Sequence, residues 1–225
     1  MGKLLVLVHT VPPLLAVFDR LVAEMLPGVK WMHILDEPLL EGIRQRGHLA
    51  PEDSVRLHAH ATLAQQVGAS AVLVTCSTVS PSVDGVPPMA IPVMKIDEAM
   101  IEQAVAAGAK IGVVATNVTT MEPTKQMLLA QAGRAGKSIQ VELVLVENAL
   151  PALMKGDGVT HDRSVKKAVM DLMGRADVVV LAQASMARVL DVIPEGERRV
   201  PVLSSPHLAL GRLKDLLDPC TGTRP

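Results

Sequence analysis

The sequence predicts an α/β fold of two similar, doubly wound parallel-sheet halves related by pseudo-two-fold symmetry, with an active-site cleft between them. Three observations predict it. Short aliphatic runs lack polar alternation, segments of helical period separate them, and the layout repeats after 107 residues. The runs at 4–8, 29–34, 71–75, 91–93, 111–115, 140–145, 178–182 and 200–203 suit strands buried on both faces. Helical patterns fill 14–25, 52–67, 96–107, 119–133, 165–175 and 207–217.

The repeat is read most directly at Cys76. It follows Ala71-Val-Leu-Val-Thr75 and opens Cys76-Ser-Thr-Val-Ser-Pro81. The same design returns as Asp177-Val-Val-Val-Leu-Ala182-Gln183-Ala184-Ser185-Met186, with Gln183 standing 107 residues after Cys76. Lys3-Leu-Leu-Val with Lys110-Ile-Gly-Val, and Asp84 with Asp191, share that offset. Pro92 and Pro201 are 109 apart, which places a two-residue insertion between them. The expected division is 1–95 plus 205–225 for one half and 96–204 for the other.

Composition narrows the function. Hydrophobic residues make up 49% and charged residues 20%, a globular balance with enough aliphatic side chains for a substantial core. A net charge of −1 gives no attraction to nucleic acid or an anionic membrane. Phe18 and Trp31 are the only Phe, Tyr or Trp residues, so platforms for stacking bases are missing. The run 3–8 is too short to span a membrane, and two cysteines make no disulfide framework. A cytoplasmic location is expected, with Cys220 in a frayed tail.

Ligands of open parallel sheets bind beyond the carboxyl ends of the strands. Those ends carry His9-Thr10-Val11-Pro12, Cys76-Ser77-Thr78, Thr116-Asn117-Val118-Thr119-Thr120 and Gln183-Ala184-Ser185. A thiol at the start of a helix is favoured as thiolate by nearby N–H dipoles. Hydroxyls and free amides beside it suit an oxyanion, although capping a helix requires the same residues. No Arg or Lys lies in the expected loops, which disfavours a second substrate carboxylate. Gly136-Lys137-Ser138 lacks the earlier glycine of a phosphate loop and follows a helix instead of a strand. His58 and His60 point to different helix faces, which argues against metal. Asp162 reads as a cap in a loop that also holds His161, and His207 as a cleft candidate at the start of the last helix.

Together, Val74-Thr-Cys-Ser-Thr78, Ile91-Pro-Val-Met-Lys-Ile-Asp-Glu-Ala99, Lys110-Ile-Gly-Val-Val-Ala-Thr116 with Thr119-Thr120, and 177–186 resemble the aspartate/glutamate/hydantoin racemase superfamily. The resemblance implies cofactor-independent chemistry, no metal, a small carboxylate substrate and a homo-oligomer. In that superfamily two cysteines work on opposite faces of a carbon acid. Cys76 matches the first cysteine, and Gln183 stands at the second. The resemblance therefore implies Cys76 as base or nucleophile and Gln183 as a hydrogen-bonding partner. Thr10, Ser77, Thr78, Thr116, Asn117, Val118, Thr119 and Thr120 would line the substrate site, with His9, Ala184, Ser185 and His207. Racemisation with another acid is the leading expectation. Single-thiol decarboxylation, as in the related arylmalonate decarboxylase, and silent ligand binding remain as alternatives, and maleate isomerase shows that the scaffold also supports cis–trans isomerisation.

Overall fold

The computed structural model describes residues 2–217. Cys220 lies outside them. The chain forms two compact units: Met1–Ile96 with the segment from Pro206, and Asp97–Ser205.

The first unit contains a four-stranded parallel sheet in the order β2-β1-β3-β4. Its strands are β1 (Leu4–His9), β2 (Lys30–Leu35), β3 (Ala71–Val74) and β4 (Val93–Lys95). The helices α1 (Leu14–Met25), α2 (Glu37–Arg46) and α3 (Pro51–Gln66) follow the strands as crossovers, and a 3-10 segment spans Ser80–Gly85. The second unit repeats the order with β5 (Lys110–Ala115), β6 (Gln140–Leu145), β7 (Val178–Leu181) and β8 (Val202–Ser204), arranged β6-β5-β7-β8. Its helices are α4 (Glu98–Ala107), α5 (Val118–Arg134), α6 (Ala149–Met154) and α7 (Gly158–Leu172). The last helix, α8 (Ser205–Leu217), lies almost wholly in the first unit.

Central strands are apolar throughout because both of their faces are covered: every residue of β3 and β7 is buried. The edge strands β2 and β6 instead begin with an exposed–half-buried alternation. The helices α2 and α6 lie outside the helical segments expected from sequence; each carries a proline in its first turn, where it is tolerated, and α6 has only six residues. Asp36 and Asp157 begin α2 and α7 by accepting the N–H of Leu39 and Thr160. His161 and Asp162 therefore lie inside α7, not in a loop before it, and the cap is Asp157.

Pairing register refines the repeat. Val72 and Val179 accept equivalent partners, Val93 and Val202, and their N–H groups donate to Pro92 and Pro201 at 2.9 Å in both units. The offset is therefore 107 residues at β3 and β7 and 109 at β4 and β8. On β1 and β5 the equivalent pairs are Leu5 with Ala71 and Ile111 with Val178. Lys110 thus occupies the place of Leu4, one residue away from the Lys3 match suggested by identity alone. Thr10 corresponds to Thr116, and Cys76 to Gln183.

One glycine is required by close approach. A Cβ on Gly108 would lie 2.3 Å from the Cβ of Asp177. The Asp177 carboxylate accepts the N–H groups of Ala109 and Lys110 at 2.9 and 2.8 Å, tying β5 to the start of β7. Gly108→Ala is expected to cost about 1–3 kcal/mol through that overlap. Gly133→Ala, on α5 with open space around it, should be neutral or stabilising by up to about 1 kcal/mol. Thermal unfolding of the two variants side by side checks the contrast.

Candidate active site

In the first unit β1 and β3 end side by side. The Thr75 N–H donates to Val8 O at 3.0 Å, continuing the ladder one step past β3. Cys76 then turns the chain sharply, its carbonyl accepting the N–H groups of Val79 and Ser80 at 3.0 and 2.9 Å. The thiol residue is 8% exposed and packs with Val74, Val79 and the aliphatic face of α2 and α3. Ser77 and Thr78 are buried beside it. The element that follows is the six-residue 3-10 segment Ser80–Gly85, not an α-helix. Fewer aligned peptides make its dipole weaker than the one expected from sequence.

Thr10 follows β1 and is 3% exposed, and its hydroxyl makes no hydrogen bond within the described residues. Ser80 is alike: fully buried with an unpartnered hydroxyl. Leaving such a group unpaired costs about 1–3 kcal/mol; His58 Nδ1, His161 Nε2 and Ser205 Oγ are likewise buried without a hydrogen bond among the described residues. His9 is different. Its ring is fully buried, with both nitrogens engaged by Thr75 and His33.

The second unit holds the corresponding positions. Gln183 is extended and follows β7. Its Oε1 accepts from the Thr116 N–H at 2.6 Å and the Thr116 hydroxyl at 3.0 Å. The amide nitrogen makes no hydrogen bond within the described residues. The carbonyl end is thus committed, and the donor end is available. Asn117 caps α5, accepting the Thr119 N–H at 3.3 Å, so its side chain does the work of a cap. Val118 is exposed and Thr120 fully buried. Ala184 is buried and Ser185 half-buried in the 3-10 segment Ala184–Val192. His207 is exposed on α8 in the first unit.

Three polar groupings escaped sequence reasoning, because helix packing and chain turns, not spacing, bring their members together. Asp36, 4% exposed, receives Arg56 through Nε at 2.6 Å and Nη2 at 2.7 Å, and lies 2.6 Å from His60 Nε2. Burial raises the Asp36 pKa most, but the hydrogen bonds from Arg56 and His60, the Arg56 charge and the Leu39 N–H together hold it below the usual carboxylate range. His60, half-buried, therefore joins the hydrogen-bonded group around the buried Asp36 carboxylate. In α7, His161 Nδ1 faces Asp162 Oδ1 at 2.8 Å, and Arg188 donates to the same carboxylate at 2.9 Å. Lys95 closes β4 and pairs with Asp84. Lys95 thus ends a strand outside the four expected loops, which hold no Arg or Lys. Among the described residues no group of three or more His, Cys, Asp or Glu side chains is arranged to hold a metal ion. Lys137 instead donates to Val105 O and Ala106 O at the end of α4, a structural use of the residue beside Gly136.

Each unit is thus a four-stranded parallel α/β sheet with small, hydroxyl-rich strand-end loops. Residues 18–213 match the family model described as Asp/Glu/Hydantoin racemase, and the chain belongs to that family. Solved structures share the fold at low identity. Glutamate racemase isoform RacE1 from Bacillus anthracis is 17% identical with a TM-score of 0.72, covering 97% of this chain and 83% of its own. Allantoin racemase from Klebsiella pneumoniae is 15% identical with a TM-score of 0.74, covering 99% and 91%. Aspartate racemase from Picrophilus torridus is 12% identical with a TM-score of 0.67, covering 99% and 96%. No curated protein matches the sequence. No helix among the described residues is long and apolar enough to cross a membrane.

Proposed function

We propose that this protein is a cofactor-independent isomerase, a racemase or epimerase acting on a small carboxylate or related carbon acid in the cytoplasm. The observation that carries the reading is the equivalence of Cys76 and Gln183 in two units of identical strand order. Cys76 is the base that takes the α-proton. Ser77, Thr78 and the unpartnered Thr10 hydroxyl hold developing negative charge on the substrate oxygen. Thr119, Thr120 and Ser185 add hydroxyls of the same character.

Gln183 has a different task from a thiol. Its amide donates a hydrogen bond to an enediolate or carboxylate oxygen but carries no proton to a carbon near neutral pH. The commitment of its carbonyl to Thr116 also supports a second reading, single-thiol decarboxylation, in which one proton donor is enough.

Solvent deuterium exchange at a substrate's α-carbon tests these readings. Exchange with inversion supports racemisation with a non-thiol second acid; exchange with retention supports one-base chemistry. If a carboxylate binds without exchange or turnover, and Cys76→Ala binds it equally well, the enzyme reading fails. For Gln183→Cys, the expected result is new or faster racemisation in a chiral assay, because a thiol replaces an amide unable to shuttle protons. Loss of the two Thr116 hydrogen bonds should lower stability by about 1–2 kcal/mol.

A further inference from the structure

A hydrogen-bonded chain runs from the surface of the first unit to the residue before Cys76. It begins at Asp19 of α1, whose side chain is 54% exposed. Asp19 Oδ1 accepts the Trp31 indole N–H at 2.7 Å and faces His33 Nε2 at 3.0 Å. His33 Nδ1 faces His9 Nε2 at 2.8 Å, and His9 Nδ1 faces Thr75 Oγ1 at 2.8 Å. Thr75 Oγ1 also lies 3.0 Å from Val8 O.

Proton counting leaves few arrangements for this chain. An ionised carboxylate only accepts, so His33 carries a proton on Nε2. While His33 is neutral, its Nδ1 is a lone pair, and His9 must then donate from Nε2. His9 Nδ1 in turn accepts from the Thr75 hydroxyl. Once His33 is charged its Nδ1 also donates, and His9 must accept there with Nε2. His9 then holds its proton on Nδ1 and donates to Thr75, whose hydroxyl turns to Val8 O. Both acceptors of the Thr75 hydroxyl are within reach in the one structure.

We propose that His9 is a positioning residue: by exchanging its ring tautomer it passes the protonation state of His33 to the Thr75 hydroxyl, one residue before Cys76. The exchange adds one proton to the chain, at His33. His9 holds one ring proton before and after, released at Nε2 and regained at Nδ1. Thr75 keeps its hydroxyl proton and changes only its direction. The charged state adds a Thr75-to-Val8 hydrogen bond between the ends of β3 and β1, the strands that lead into Cys76 and Thr10.

The surroundings keep His9 neutral throughout. Burial, with the charge of His33 beside it, lowers its pKa to about 3 against a smaller opposing pull from Asp19. The groups facing it are Asp19 and Phe18 of α1, His33 of β2 and the uncharged Thr75 after β3. Charge therefore stops at His33 and only hydrogen-bond direction travels inward.

The test uses the full chain labelled with 15N at histidine, followed by NMR from about pH 8 to about pH 5. As His33 titrates, His9 is expected to remain neutral while its protonated nitrogen changes from Nε2 to Nδ1 with the same midpoint. In His33→Phe the His9 tautomer should be independent of pH. A His9 ring that charges in this range, or keeps one tautomer while His33 titrates, overturns the proposal. The link to Cys76 rests on the proposed thiol chemistry and has its own readout: Cys76 alkylation by iodoacetamide in a Cys220→Ser background. The rate should change up to about fivefold at the His33 midpoint, about the effect of one hydrogen bond, and this step should vanish in His33→Phe and Thr75→Val. A tautomer exchange without that step would confine the device to the β1–β3 ladder and overturn the positioning role. Because the NMR readout needs no substrate, failure of the isomerase reading leaves it intact.

Discussion

Cys76→Ser is expected to lower turnover by about 10²- to 10⁴-fold, the range associated with losing a positioned acid or base. Serine matches the thiol in shape, so the packed position, 8% exposed against Val74 and Val79, is preserved. What changes is acidity: an alkyl hydroxyl gives essentially no anion near neutral pH, whereas an ordinary thiol gives a few per cent. Steady-state kinetics should show the loss in kcat, with KM little altered and the unfolding temperature within a few degrees of the parent. A serine variant retaining full turnover would remove Cys76 from the mechanism. Loss of both activity and fold would instead make the thiol a core residue.

Asp36→Ala is expected to cause the largest loss of stability, about 3 kcal/mol, by removing a buried carboxylate with three partners. Two effects set the size. The α2 cap disappears, typically about 1 kcal/mol. The Arg56 and His60 contacts go too, but the Arg56 side chain is 48% exposed, so water recovers part of its charge solvation and keeps the total moderate. In a chain of this length the melting temperature should fall by about 6–12 °C. Asp36→Asn, which keeps a capping oxygen, should lose less.

The acid response has a determined sign. The folded pKa of Asp36 is depressed, so its contribution is present above the unfolded carboxylate pKa and is lost as pH falls through the folded value. His9 acts in the same direction by another route. Its folded pKa, about 3, lies below the ordinary 6.5, so the unfolded state takes up the proton first, and stability falls from about pH 6.5 downward. Equilibrium unfolding followed from pH 7 to pH 4 should show stability declining before carboxylates begin to titrate. That early part should be absent in His9→Gln.

The repeated strand order was legible because strands buried on both faces read as continuous aliphatic runs, such as 71–75 and 178–182, set between longer helical segments. The equivalence of Cys76 with Gln183 was legible for the same reason. Identity misled at Lys3 and Lys110, because a lysine at an exposed strand start reports solvent exposure and not register. The partners of each site residue were hidden. Nothing in the spacing of His9, His33 and Asp19 indicates that β2 pairs with β1 and brings the two rings together. Asp36, Arg56 and His60 likewise meet only after α2 and α3 have packed. Asn117 looks the same in sequence whether it caps a helix or meets a ligand, and the structure gives it the cap.

The return of the chain into the first unit from Pro206 has a consequence for how the protein is made. A ribosome delivers residues in order, so the Asp97–Ser205 unit is complete while the unit bearing Cys76 still lacks α8 and its buried residues Ala209, Leu210 and Leu213. The amide half is one continuous stretch of chain, whereas the thiol half keeps an apolar surface uncovered until α8 is added. Truncation just before Pro206 would thus leave every residue of the amide half present and deprive the thiol half of its last helix.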